Sequence, residues 1–149
     1  MIARYTGAVP LKLTVPLDLD QRLRTVGEAI GSVSPTVLFA YLFGSSATGT
    51  RTPRSDVDLA IFLTPDADPH EVRLAVARSA SRHLATDAVD LVVLNTAPIA
   101  LAGRVLGTRR VILDRDPFLR HRYESLHARM FQDFRIREHR LLATRRAHG

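Results

Sequence analysis

Cysteine is absent from all 149 residues, which excludes disulfides and any thiolate-bound zinc or iron–sulfur centre. Lysine is almost absent too. Lys12 is the only one, so nearly all the positive charge is arginine. No apolar run approaches the roughly 20 residues of a membrane helix. The opening stretch MIARYTGAVPLKLTVPLDLD is broken by Pro10 and Pro16 and lacks the apolar segment of a signal peptide. Repeats and low-complexity tracts are missing as well. These absences lead to the expectation of a cytoplasmic protein with no membrane contact.

Apolar residues make up 46% of the chain, enough for a real core, and the length suits one domain. The net charge of +6 is unevenly spread. Residues 1–100 hold 9 basic and 10 acidic side chains, whereas residues 101–149 hold 12 and 5. An arginine-rich end of this kind suits phosphates or an acidic protein surface, or is simply a solvated helix face. Direct nucleic-acid binding stays open on this basis.

Residues 1–17 alternate loosely and are expected as an arm or edge strand. A helix is expected from an Asp18 cap to a stop at Gly31, with Leu19, Leu23, Val26 and Ile30 on its apolar face. TVLFAYLF (36–43), DVDLAIFL (56–63), VDLVVL (89–94) and RRVIL (109–113) read as short strands. Between them fall a helix over 69–85 opened by Pro69 and a short one from Pro98 to about Leu106, ended by Gly107. Asp66 and Asp68 read as loop residues, and Asp114 and Asp116 as caps for the last helix. That helix begins at Pro117, with Leu119, Tyr123, Leu126, Met130 and Phe134 on one stripe. The order predicts an α/β (α+β) domain, with a core over 18–115 and a long C-terminal helix over 116–149 that packs on the core, on a partner or on both.

The chemistry concentrates in LFGSSATGTRTPRSDVDLAIF. Gly44-Ser45 closes one strand, ten residues follow, and Asp56-Val57-Asp58 opens the next. Side chains two apart on a strand share a face, so Asp56 and Asp58 project into one spot. Adjacent carboxylates repel unless a cation lies between them. Mg²⁺ takes such hard oxygens and is commonly held by one or two carboxylates plus substrate phosphates. Gly44 lets a phosphate approach the backbone, and Ser45 adds a hydroxyl donor. A triphosphate bridged by metal between the two halves would be aligned for in-line displacement. Asp90, inside AVDLVVL, is the candidate third carboxylate, since a lone acid in an apolar run is costly without a cation. The alternative for Asp90 is a strand-end residue reaching solvent. The six histidines show no ligand spacing, and Tyr41 reads as core.

These residues resemble the minimal nucleotidyltransferases of the polymerase-β-like superfamily, and more narrowly the MntA-like antitoxins of HEPN/MNT toxin–antitoxin pairs. The matching elements are Leu42-Phe43-Gly44-Ser45, Ala47, Gly49, Ser55-Asp56-Val57-Asp58-Leu59-Ala60, Val89-Asp90-Leu91-Val92, Leu94-Asn95, Pro98, Gly107 and the tail Met130-Phe131-Gln132-Asp133-Phe134. The resemblance covers residues 36–140. It implies a polymerase-β-like fold, a small mixed sheet flanked by helices, that uses ATP and Mg²⁺. It further implies transfer of AMP to a tyrosine hydroxyl of a HEPN ribonuclease toxin, in a hetero-oligomer with that partner. On that analogy Gly44 and Ser45, with Ser46 and Ser55, hold the nucleotide. Asp56, Asp58 and Asp90 are the catalytic, metal-binding set, with Asp90 helping to deprotonate the acceptor. One departure is Thr48, which stands where many relatives carry arginine; Arg51 or Arg54 is the expected substitute. Two other functions fit the same residues: nucleotidyl transfer to a small molecule or an RNA end, and neutralisation by binding alone through the last helix.

Overall fold

The computed structural model describes residues 18–149; the arm expected for 1–17 lies outside the described residues. The chain runs α1 (Leu19–Val33), β1 (Val37–Phe43), α2 (Ser45–Thr48), β2 (Val57–Leu63), α3 (Pro69–Leu84), β3 (Val89–Val93), α4 (Ile99–Thr108), β4 (Arg110–Asp114) and α5 (Pro117–His148), with a 3₁₀ turn at Leu94–Thr96. The strands form one mixed sheet in the order β3-β2-β1-β4. β1 is antiparallel to both β2 and β4, whereas β2 and β3 are parallel and joined through α3. A parallel pair needs such a crossover, because its strands enter from the same end.

Period-two alternation sorts the strand residues between two cores. Val37, Ala40 and Leu42 of β1, with Val57, Leu59, Ile61 and Leu63 of β2, pack under α1 and α3. Phe39, Tyr41 and Phe43, with Ala60 and Phe62, pack instead with Val105 and Leu106 of α4 and Tyr123 of α5. β1 is apolar at every position because it is central and covered on both faces. By the same alternation Asp58 and Asp90 project on the α4/α5 side, in line with Ala60 and Val92.

Several helix ends differ from the sequence expectation. Asp18 stands at the N-cap of α1 but makes no cap bond; its carboxylate pairs with Arg22 at 2.9 Å. Gly31 does not stop α1, which continues to Val33. Arg115 reaches back from beyond β4 to the carbonyls of Gly31, Ser34 and Val37, supplying donors that a glycine cap would otherwise arrange. Gly107 likewise lies inside α4. Asp68, expected as a loop residue, caps α3 by accepting the amides of His70 and Glu71. Leu74 is exposed, and the buried face of α3 is Val76, Ala80 and Leu84. Asp116 caps α5, whereas Asp114 sits in β4 and pairs with Arg120 at 2.9 Å.

The largest correction concerns α5. Leu119 and Tyr123 face the core as expected and Phe134 is half-buried beside Phe131, but Leu126 and Met130 are exposed. Their places are taken by His127, stacked on Tyr123 with ring centroids 3.8 Å apart, and by Phe131. Phe131 lies so close to Gly103 of α4 that a methyl group there would overlap its ring. From Arg135 onward every residue of α5 is exposed. No described helix is long and apolar enough to cross a membrane.

Candidate active site

Gly44 leaves the central strand with φ +69° and ψ −150°, a region open in practice only to glycine. Its missing side chain matters as much as its torsions. A Cβ at Gly44 would lie 2.5 Å from Oδ2 of Asp58. The corner therefore touches the carboxylate directly. Ser45 opens α2, which ends after one turn at Gly49 in the left-handed region. The Gly44 amide donates to Oγ1 of Thr108 at 2.8 Å, so the last residue of α4 holds the corner in place.

Asp58 pairs in register with Phe43 of β1 on one side and with Asp90 of β3 on the other. Three strands thus align the glycine corner, one carboxylate of the Asp-x-Asp pair and the third acid across one edge of the sheet. Asp56 immediately precedes β2. Burial pushes the pKa of Asp58 up, and the charges of Asp90 and Asp56 push it further, while Arg104 opposes them. Asp90 and Asp56 are thus near enough to Asp58 for their charges to be felt there. Among the described residues no three His, Asp or Glu side chains converge closely enough to hold a metal ion as they lie. Their donor chemistry nevertheless fits Mg²⁺: hard oxygens whose mutual repulsion a cation removes, with phosphate oxygens completing the shell.

Asp90 differs from expectation in one respect. It is exposed, so the desolvation argument drawn from its apolar neighbours does not hold. Its exposure agrees with the alternative of a strand-end residue reaching solvent, while its register with Asp58 brings it to the same cleft. Asp58 and Asp90 line a cleft of about 530 Å³ that also takes in Phe43, Leu101, Arg73 and Arg104. The other expected nucleotide-binding residues are distributed differently. Ser46 is buried and lines a neighbouring cleft against α1 and β4, with Arg24 and Arg110. Ser55 closes the loop before Asp56, its hydroxyl accepting the Thr52 amide at 3.0 Å. Arg51 points to Asp20 of α1, 3.8 Å away.

Sequence reasoning missed Arg104 and Thr108. A signal for Arg104 was present: it is the single charge in IALAGRVLGT, an otherwise apolar helix. Thr108 carried no such signal, since its partner lies 64 residues away.

The family model for polymerase beta nucleotidyltransferases matches residues 28–118. The chain belongs to that family. Among solved structures, a chain of the toxin–antitoxin MntA-HpeT mutant D39ED41E is 21% identical, with a TM-score of 0.66, over 78% of this chain and 92% of that one. A toxin–antitoxin chain crystallised with AMP-PNP is 22% identical, with a TM-score of 0.65, over 84% and 96%. A chain from the tri-AMPylated Shewanella oneidensis HEPN toxin in complex with MNT antitoxin is 19% identical, with a TM-score of 0.64, over 85% and 97%. At these identities the likeness establishes the fold, a polymerase-β-like mixed sheet flanked by helices. No curated protein matches the chain.

Proposed function

We propose that this nucleotidyltransferase is a cytoplasmic antitoxin that transfers AMP from ATP to a tyrosine hydroxyl of a HEPN ribonuclease partner and so silences it. The observation that carries this reading is the row formed by the Gly44 corner, Asp58 and Asp90 on three adjacent strands. Family membership supports nucleotidyl transfer. The folds it shares with toxin–antitoxin proteins, one with an ATP analogue and one with an AMPylated HEPN toxin, support the acceptor and the nucleotide.

Gly44 and Ser45 would hold the triphosphate, and Asp56, Asp58 and Asp90 would hold Mg²⁺. When bound, the metal would supply charge neutralisation between the carboxylates and the phosphates. Asp90, which is exposed, would accept the proton of the incoming hydroxyl, whose oxygen would then attack the α-phosphorus while pyrophosphate departs. The outer part of α5 is exposed from Arg135 onward and carries five arginines against one acid, Glu138. It is the element available for the partner.

The test combines the purified protein, Mg²⁺, the HEPN product of the neighbouring reading frame and ATP labelled at the α- or the γ-phosphate. Stable α-label on a partner tyrosine, lost with Asp56→Ala/Asp58→Ala, is the expected result. Neutralisation without any label would favour binding alone, and label on an RNA or a small molecule would reassign the acceptor.

A further inference from the structure

Two acids, Asp58 and Asp90, line one cleft, and a nucleotide polyanion joining them would call for positive charge beyond any metal. The wall facing them is α4, and its one charged residue is Arg104. Arg104 lines the same cleft as Asp58 and Asp90, and its charge already acts on Asp58. One helical turn later Thr108 holds the Gly44 amide. Residues four apart share a helix face, so α4 presents Arg104 and Thr108 together to the carboxylates and the corner. The helix is itself held from behind by Phe131 packed on Gly103. The helix that carries Arg104 is thus held, and Arg104 itself is exposed.

Two other arginines nearby each have a contact of their own. Arg73 lines the cleft, but its Nε donates to the Leu91 carbonyl at 3.1 Å, covering the open edge of β3. Arg51 faces Asp20 across the α2 loop.

We propose that Arg104 is a substrate-binding residue whose guanidinium grips the phosphoryl group being transferred, opposite Asp58 and Asp90. The inference rests on the nucleotidyl-transfer reading above. A guanidinium fork can bond two phosphate oxygens at once and does not lose its proton. Without nucleotide it serves as a counter-charge to Asp58. With nucleotide, the non-bridging oxygens of the α-phosphate become its partners. During transfer the acceptor oxygen bonds to phosphorus, the bond to the bridging oxygen breaks, pyrophosphate leaves with the electron pair and the proton passes to Asp90. Arg104 neutralises the equatorial oxygens throughout that exchange.

The experiment measures MgATP binding to the full chain by calorimetry, without partner, for wild type, Arg104→Lys and Arg104→Gln. Arg104→Gln is expected to weaken binding about tenfold, with Arg104→Lys intermediate. The transfer rate of Arg104→Gln should fall by about 100-fold, the usual loss when one preorganised donor to a developing charge is removed. Free guanidinium at millimolar concentration should restore part of the rate to Arg104→Ala and none to Asp58→Ala. Because Arg104 is exposed, losing its counter-charge to Asp58 should lower the melting temperature of the unliganded variants by no more than about 2 °C. Wild-type affinity and rate in Arg104→Gln overturn this inference alone. A wild-type protein that takes up no MgATP overturns the nucleotidyl-transfer reading as well.

Discussion

Glu124 offers the sharpest test of how α5 is held on the sheet. Only 8% exposed, it accepts the Tyr41 hydroxyl at 2.8 Å, Arg120 at 2.9 Å and Arg109 at 3.1 Å. Tyr41 is in β1, Arg109 lies just before β4, and Arg120 shares α5, so one carboxylate ties together three parts of the fold. Glu124→Ala leaves the Tyr41 hydroxyl buried without its acceptor and removes the counter-charge from both arginines. Breaking a buried pair costs about 3–5 kcal/mol. Arg120 keeps Asp114 at 2.9 Å and Arg109 is exposed enough to rehydrate, so the lower end, about 3 kcal/mol, is expected. For a chain of this length that corresponds to a fall of about 6–12 °C in Tm. Calorimetric melting at pH 7 measures it. Tyr41→Phe should cost much less in the Glu124→Ala background than in wild type, because the two groups share one bond.

The pH dependence follows from the same contacts. Burial raises the pKa of Glu124, but hydrogen bonds from Tyr41, Arg120 and Arg109 outweigh it and hold the carboxyl below its ordinary value of 4.5. A depressed folded-state pKa stabilises the fold above the unfolded value and loses that contribution as pH falls through the folded one. The gap between wild type and Glu124→Gln should therefore be constant from pH 7 down to about 5 and close only below the ordinary carboxylate range. A Tm change under about 2 °C for Glu124→Ala, or full additivity with Tyr41→Phe, would refute the account.

Two further predictions concern the site. Asp58→Asn should lower transfer by at least about 100-fold yet stabilise the unliganded protein at pH 7, since it removes an acid held against two others. The pKa of Asp58 is raised, so its cost to the fold is absent below the ordinary aspartate value and complete above the raised one; urea midpoints of the two proteins should converge near pH 3.5 and separate at pH 7, and identical midpoints at pH 7 would contradict the clustering of the three acids. Gly44→Ala should cost about 1–3 kcal/mol from its torsions alone. It should also cut transfer about 100-fold by displacing Asp58, on the scale expected for a 1 Å misplacement; a rate within threefold of wild type would show that the corner tolerates a side chain.

The strands were legible in the sequence because they depend on local periodicity, and so was the place of Asp58 at the start of β2. Short apolar runs such as VLFAYLF need no distant information to be read as buried strands, and residues two apart share a face whatever the topology. The Gly44 turn was legible for a similar reason, since its torsions admit little else. Helix ends were read less well. Gly31 and Gly107 look like stops, but Arg115 supplies the carbonyl partners of α1 from 84 residues away. The seam of α5 was misread because Leu126 and Met130 match the helical period as well as His127 and Phe131 do. Only Gly103, which makes room for the Phe131 ring, decides between them.

By itself, then, the sequence determined an α/β domain with a glycine corner at the end of one strand and Asp58 at the start of the next, whereas Asp56, expected on the same strand, falls just before it. The tertiary structure alone decided that Asp58 stands beside Asp90, that Arg104 and Thr108 of α4 complete the wall, and that Glu124 ties α5 to β1. The physical reason is range. Propensity and periodicity act over a few residues, whereas sheet register, helix docking and the sharing of a buried charge join groups tens of residues apart, and only the packed chain brings those groups within reach.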